Sequence, residues 1–538
     1  MSSRSSSAIF ALLACLACQA PLRTTPPPAP VRSNHGVQPV AQLRSDLDAV
    51  LSGAMLARGT WGVLVTSMRT GDTLYAFNPL KLLMPASNMK IVTLAAAAER
   101  LGWNYAYETR VFAAGPIEAG VLRGDLVVVG SGDPSIGVTD GSAARIFGAW
   151  ADRLKELGIR VIDGRIVGDD RAFEDQTLGF GWSWDDLPDD YAAGVGALQF
   201  NENAVRVTVS PGIAAGEPAS IAIEPPGSGL LVASLVRTER AGVPRPLSTR
   251  RLPGAQRLEI GGTIGLGAPP AVLSVSVDNP TIFFVEALKY ALIASGLDVR
   301  GAAVDIGGLR GEGAHGVNNN RGAGGPGVNN GGAGAPGVNN LAPDSGHGSL
   351  VAVNRSAPLS TLAIRLMKDS QNQYAETLLK TLGAADGQAR GEAVRGTAAG
   401  GRMSVRALLE RWGVDGSGLI QRDGSGLSRY DYVNADTLVG ILSHVYHDTT
   451  LSGPFKASLP VAGQDGTLAN RLKGTVAEGR VQAKTGSMSN VRALSGYVST
   501  ADGEPLAFSI LANNFETPAE VVNNATDAIV IRLAQFQR

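Results

Sequence analysis

The sequence predicts a mixed α/β protein in which a body of helices and strands is interrupted by a long β-rich insertion. Three observations carry this. A strand hairpin and then an apolar helix occupy residues 62–101. From about residue 104 to 306 the texture changes to short β-rich pieces set between Gly/Pro turns. Helical patterns return after a low-complexity stretch, and the chain closes on three strand-like runs and a helix.

In chain order, residues 1–20 have the pattern of an export leader. Arg4 gives a positive start, and Ala8 to Ala17 is an apolar run too short to span a bilayer. Leu12-Leu13-Ala14-Cys15 resembles a bacterial lipobox and Leu16-Ala17-Cys18 is a weaker version, so Cys15 or Cys18 is a candidate lipidation site and anchor to the membrane. Residues 21–36 are proline-rich and are expected to form an extended spacer. Residues 37–103 form the first part of the body. A helix is expected over Ala41–Leu56, strands over Gly62–Met68 and Thr73–Phe77 around the turn at Arg69–Asp72, and a helix from Ser87 to Leu101 stopped by Gly102.

Within the insertion, 104–306, strands are expected over Leu122–Gly130, Ile159–Val167, Ala204–Val209, Ser220–Ile223 and Leu273–Val277, with helices over Ala144–Leu157 and Thr281–Ala294. Residues 307–348 are Gly/Asn-rich, with Gly-Val-Asn-Asn starting at 316, 327 and 337. The copies carry too few apolar residues for a solenoid, and a disordered loop is expected. The second part of the body, 349–538, is expected to hold helices over Leu359–Gly383 and Val405–Trp412. Strands follow near Val481–Thr485, Ala493–Val498 and Leu506–Ala512, then a helix over Pro518–Phe536.

Composition removes several function classes. A formal net charge of -1 over 538 residues, with no dense basic run, argues against a nucleic-acid partner. The two cysteines both lie in the leader, so the body has no disulfide framework, redox CxxC or thiolate metal site. The acidic cluster Asp185, Asp186, Asp189 and Asp190 lacks the glycine and distal glutamate of a calcium loop. No metal or cofactor is expected.

Three short motifs carry the chemistry: Ser87-Asn88-Met89-Lys90, Ser370-Gln371-Asn372 and Lys484-Thr485-Gly486. Only nine lysines are present; Lys90 alone has serine three positions earlier and Lys484 alone is followed by Thr-Gly. Asn372 is the only asparagine with serine two before it. Taken singly, Ser87 reads as a helix cap, Ser370 as a polar residue within a helix and Lys-Thr-Gly as an edge-strand turn. The ordered set matches the SxxK, SxN and KTG motifs of penicillin-binding proteins and serine β-lactamases.

A serine nucleophile needs a base. Of the five histidines, His35 falls in the spacer and His315 and His347 in the Gly/Asn-rich loop, while His444 and His447 share a helix where they are expected to cap or pack. Lys90 remains as base, provided burial beside another cation, Lys484, lowers its pKa. Ser370 would relay the proton to the leaving amine, and Asn372 would hold Lys90 and the substrate amide. Lys484 and Thr485, with Gly486, would hold a terminal carboxylate. The N–H groups of Ser87 and Ser487 would form the oxyanion hole.

Further segments carry a resemblance: Pro85-Ala86-Ser87-Asn88, Gly130–Pro134, Gly181–Asp186, Asn201-Glu202-Asn203, Asp423–Arg429, Asp465-Gly466-Thr467 and Ala493–Tyr497. With the three motifs, they make the chain resemble the class C low-molecular-mass penicillin-binding proteins, D-alanyl-D-alanine carboxypeptidase/endopeptidases of the peptidase S13 family. The resemblance implies a transpeptidase/β-lactamase-like α/β domain, its antiparallel sheet flanked by helices and split by nested inserted domains. It implies an acyl-enzyme on Ser87, peptidoglycan stem peptides and cross-links as substrates, β-lactams as covalent inhibitors, and an exported protein of the periplasm or cell envelope. It also suggests that Asp186 and Arg429 read a diamino acid near the scissile bond. Gln371 replaces the commoner aspartate of the middle motif, with little effect expected. A β-lactamase and an inactive wall-binding scaffold are the rival readings.

Overall fold

The computed structural model describes residues 39–240, 245–307, 347–389 and 395–538. The leader with Cys15 and Cys18, the proline-rich spacer and residues 308–346 of the Gly/Asn-rich stretch lie outside the described residues.

The body is built on a five-stranded antiparallel sheet, in the order Thr73–Phe77, Thr60–Ser67, Pro505–Asn513, Val491–Ser499, Val481–Met488. Its strands draw residues from both ends of the chain, so the sheet closes only when the termini of the fold meet. Alternation along the strands supplies two cores. Val63, Val65, Phe508 and Ile510 face one layer, with Leu43 and Leu47 from the helix Val40–Leu51 and Ile529 and Leu533 from the helix Ala519–Gln535. Leu64, Ala507 and Leu511 face the other. There they meet the helices Met89–Leu101, Leu359–Lys368, Asn372–Ala389, Ala398–Arg411 and Ala435–His447.

The insertion has its own core and sheets. Its largest sheet runs Ala303–Asp305, Ile166–Asp169, Asp125–Gly130, Glu108–Ala114, Ser349–Arg355 and mixes parallel and antiparallel pairs. Smaller sheets, including Ser220–Glu224, Ala204–Ser210 and Ala271–Ser276, complete it, and Ser142–Glu156 and Pro280–Ala294 pack on the same core. Ser349–Arg355 pairs antiparallel with Glu108–Ala114 in the largest sheet, with an irregularity between Leu350 and Ala352.

Several local expectations change, among them the helix expected over Val405–Trp412, which runs Ala398–Arg411, and the strand expected over Leu122–Gly130, which is broken into Val121–Leu122 and Asp125–Gly130. The first helix stops at Leu51, because Ser52, Gly53 and Gly59 favour the turns that follow. The helix expected over Leu359–Gly383 is two helices, broken at Asp369-Ser370-Gln371 with Ser370 at φ +61°. Its apolar period runs through the break because Leu362 and Leu366 face the same core as Leu378 and Leu382. His347 is placed, within 2.9 Å of the buried Asp169 carboxylate and against the Phe112 ring.

Candidate active site

Ser87 sits in a single 3-10 turn, Ala86–Asn88, from which the helix Met89–Leu101 starts. Ala86 has φ +45°, a left-handed backbone that an alanine adopts only when its surroundings impose it. Two glycines supply that constraint. A Cβ on Gly426 would lie 1.8 Å from the Ala86 carbonyl oxygen, and one on Gly486 would lie 2.5 Å from that of Pro85. The Asp423–Ser428 loop and the edge strand Val481–Met488 thus approach the backbone before Ser87 as closely as glycine permits. Gly486→Ala must push Pro85 and Ser87 apart from the strand. A displacement on the order of 1 Å should slow β-lactam acylation about 100-fold, a loss readable by stopped-flow labelling.

Lys90 lies one helical turn below Ser87 and is fully buried. Its Nζ donates to Ser87 Oγ (2.8 Å), Asn372 Oδ1 (2.5 Å) and the Ser425 carbonyl (2.9 Å), which occupies all three hydrogens of an ammonium. Burial pushes its pKa down to about 7, against the opposing charges of Asp423 and Glu376. Burial, not a neighbouring cation, is therefore the main cause. Lys484, expected to be that cation, is itself held well below the ordinary lysine value by burial and by Lys90.

The helix break at 369–371 delivers Ser370 to the second lysine. Lys484 Nζ donates to Ser370 Oγ (2.8 Å) and to the Thr485 carbonyl (2.9 Å). Val481–Met488 is an edge strand of the sheet, and on its outer side the N–H of Ala483 meets the Pro460 carbonyl. Thr485 Oγ1 meets Thr467 Oγ1 at 2.7 Å on the exposed side. Gly486 and Ser487 continue this strand beside the turn of Ser87.

The middle motif also ties the insertion to the site. Asn372 Nδ2 donates to the Tyr191 carbonyl (2.7 Å). Gln371 Nε2 donates to Glu202 (2.7 Å), which also pairs with Arg365, so this position docks on Asn201-Glu202-Asn203. Trp182 Nε1 donates to Asp423 Oδ2 (2.9 Å), joining the Gly181–Asp186 segment to the loop that ends at Arg429. Asp186 is half-buried and accepts from the Tyr191 hydroxyl at 2.8 Å. Arg429 is exposed, and its charge helps Ser183 hold the Asp185 carboxyl below its ordinary value. Away from this site, His444 stacks on Trp412 with ring centroids 4.5 Å apart, and a ring nitrogen of His447 lies 3.1 Å from the Met68 carbonyl, as packing roles require.

Several residues of the site escaped sequence reasoning: Ser425, Glu376, Thr467 and Tyr191. Ser425 and Thr467 lie in Asp423–Arg429 and Asp465-Gly466-Thr467, segments that carried the resemblance without a role of their own, and nothing in the residue pattern singles out Glu376.

The arrangement defines a class: an active-site-serine enzyme in which buried lysines, rather than histidine, attend the serine. The comparisons specify it. The D-Ala-D-Ala carboxypeptidase 3 (S13) family model matches residues 43–319 and 332–536. The D-alanyl-D-alanine carboxypeptidase of Actinomadura sp. (strain R39) is 34% identical over 509 residues, covering 92% of this chain and 85% of that protein. The D-alanyl-D-alanine carboxypeptidase DacB of Haemophilus influenzae is 24% identical over 458 residues, 85% of this chain and 86% of that one. The crystal structure of penicillin binding protein 4 (dacB) from Haemophilus influenzae superimposes with a TM-score of 0.73 at 24% identity, covering 91% of this chain and 98% of that one. The chain belongs to the D-Ala-D-Ala carboxypeptidase 3 (S13) family.

Proposed function

We propose that this protein is a serine D-Ala-D-Ala carboxypeptidase and D-alanyl endopeptidase that acts on peptidoglycan peptides through an acyl-enzyme on Ser87. The observation that carries the reading is the contact of Ser87 Oγ with a buried lysine whose pKa is close to neutral. In its neutral form Lys90 takes the Ser87 proton as Oγ attacks the penultimate D-Ala carbonyl. The N–H groups of Ser87 and Ser487 receive the oxyanion. As the C–N bond breaks, Ser370 passes a proton to the leaving amine, and Lys484 takes part in that relay through its hydrogen bond to Ser370. The proton that reaches the amine is replaced on Ser370 by Lys484; water then attacks the ester and gives its proton back to that pair, and Lys90 returns its proton to Ser87 as the acyl group leaves.

Lys484, Thr485 and Gly486 hold the terminal carboxylate in this scheme, with Thr467 beside them. An incoming carboxylate favours the charged form of a buried lysine, so substrate binding would restore the charge that burial discourages. β-Lactams acylate the same serine because their strained amide presents the same carbonyl and carboxylate. Export to the cell envelope follows from the substrate, and Cys15 or Cys18 would supply a lipid anchor. Among the described residues, no helix is long and apolar enough to cross a membrane.

Asp186 and Arg429 are proposed to read the amino and carboxylate ends of a diaminopimelate-type residue next to the scissile bond. Purified enzyme incubated with wall muropeptides should release D-alanine and separate cross-linked dimers, as resolved by product mass. Asp186→Asn and Arg429→Ala should each lower kcat/KM about tenfold on diaminopimelate peptides, the scale of one lost charge-assisted bond, and leave penicillin acylation unchanged. Equal losses on both substrates would count against recognition, and intact muropeptides would count against the activity.

A further inference from the structure

The backbone of Gly424 and Ser425 is a strut between two helices. Its carbonyls point at the Ser87 helix: Thr93 Oγ1 donates to Gly424 O (2.7 Å) and Lys90 Nζ to Ser425 O (2.9 Å). Its N–H groups point at the Asn372 helix, where both meet one carboxyl group. Gly424 N donates to Glu376 Oε1 (3.0 Å) and Oε2 (2.9 Å), and Ser425 N to Oε1 (2.8 Å). Glu376 is 4% exposed and lies one helical turn from Asn372, which itself holds Lys90. One helix face therefore grips the lysine twice, directly through Asn372 and indirectly through Glu376.

We propose that Glu376 is a positioning residue for the reaction, whose carboxyl group locks the Ser425 carbonyl onto Lys90 and brings a negative charge to the lysine's buried side. This rests on the reading of Lys90 as base. A buried glutamate is costly unless something uses its charge. Here the three N–H contacts favour the carboxylate, while burial and Asp423 push its pKa up to about 8, into the range of Lys90, so the two groups titrate as a pair in which the carboxylate of Glu376 goes with the ammonium form of Lys90. The charged groups around the pair are Asp423 and Asp431 on the loop side, Lys380 further along the Asn372 helix, and Lys484 on the edge strand. Asp431 is itself driven up by burial and Asp423, so its charge is suppressed.

The test is the pH profile of β-lactam acylation in Glu376→Gln and Glu376→Asp, with Lys90→Ala as reference. Glutamine keeps the shape and removes the charge. Lys90 should then lose its proton more readily, and the acid limb should move to lower pH by on the order of one unit while the plateau rate falls. Aspartate keeps the charge but withdraws it by one methylene, and should give a smaller shift in the same direction. A lower plateau with an unmoved limb in both variants would mean Glu376 is only a structural anchor and would overturn the proposal. If Glu376→Gln does not fold, Glu376→Asp decides alone, and an unmoved limb again overturns it. Wild-type acylation in Lys90→Ala would instead sink the reading beneath it, so the two failures are distinguishable.

Discussion

Replacing Lys90 by methionine, which keeps most of the volume, should slow acylation of Ser87 by penicillin and by D-alanyl peptides by about three to four orders of magnitude. The serine hydroxyl has no other base within reach among the contacts described: Ser87 Oγ is paired with Lys90 Nζ, and the described histidines lie elsewhere. The wild-type profile should rise with pH through about 7, because only the neutral amine accepts a proton and burial places that titration near 7. Stability should move in the same direction. Between about 7 and 10.5 the unfolded chain holds a proton on this lysine that the folded protein has lost, so its contribution to stability grows as pH rises through that window. Lys90→Met should remove that dependence, and because it leaves Asn372 Oδ1 and the Ser425 carbonyl buried without their partner it should melt no higher than wild type at neutral pH. A methionine variant that acylates within tenfold of wild type would reject Lys90 as the base.

Ser87→Ala should reduce D-alanine release on the order of 10⁵-fold or more, the scale seen when a serine enzyme loses its nucleophile. The fold should be unaffected. The hydroxyl is half-buried and accepts a hydrogen bond from Lys90, and the left-handed backbone belongs to Ala86 rather than to Ser87. Kinetics and melting temperature should therefore separate cleanly. A residual rate within 100-fold of wild type would mean that another group carries the acyl chain.

Much of this site was legible because its first half is local. Ser87 and Lys90 are three residues apart, so any helix starting there brings them together, and the Ser87 Oγ to Lys90 Nζ distance of 2.8 Å follows from helical geometry. Ser370 is the opposite case. An unbroken apolar period hid the helix break that turns its hydroxyl toward Lys484, because both helices happen to pack on one core. Glu376 was invisible for another reason: its partners are backbone N–H groups 48 and 49 residues further along, and no residue pattern encodes them. The Lys90 shift was read in part: burial lowers its pKa as expected, whereas the contribution expected of Lys484 is replaced by the opposing charges of Asp423 and Glu376. In the fold, the terminal strands and helices were marked by their own periodicity. The pairing of Ser349–Arg355 with Glu108–Ala114 was not, because it joins segments on either side of some 230 residues of chain.

The central claim is that the acyl group is carried by Ser87, and trapping it is the most direct measurement. Wild-type protein is incubated with penicillin, weighed intact and then digested and mapped. One drug mass should be added per chain, on the peptide that contains Ser87, with no adduct in Ser87→Ala. An adduct on another residue, or one that persists in the alanine variant, would contradict the account.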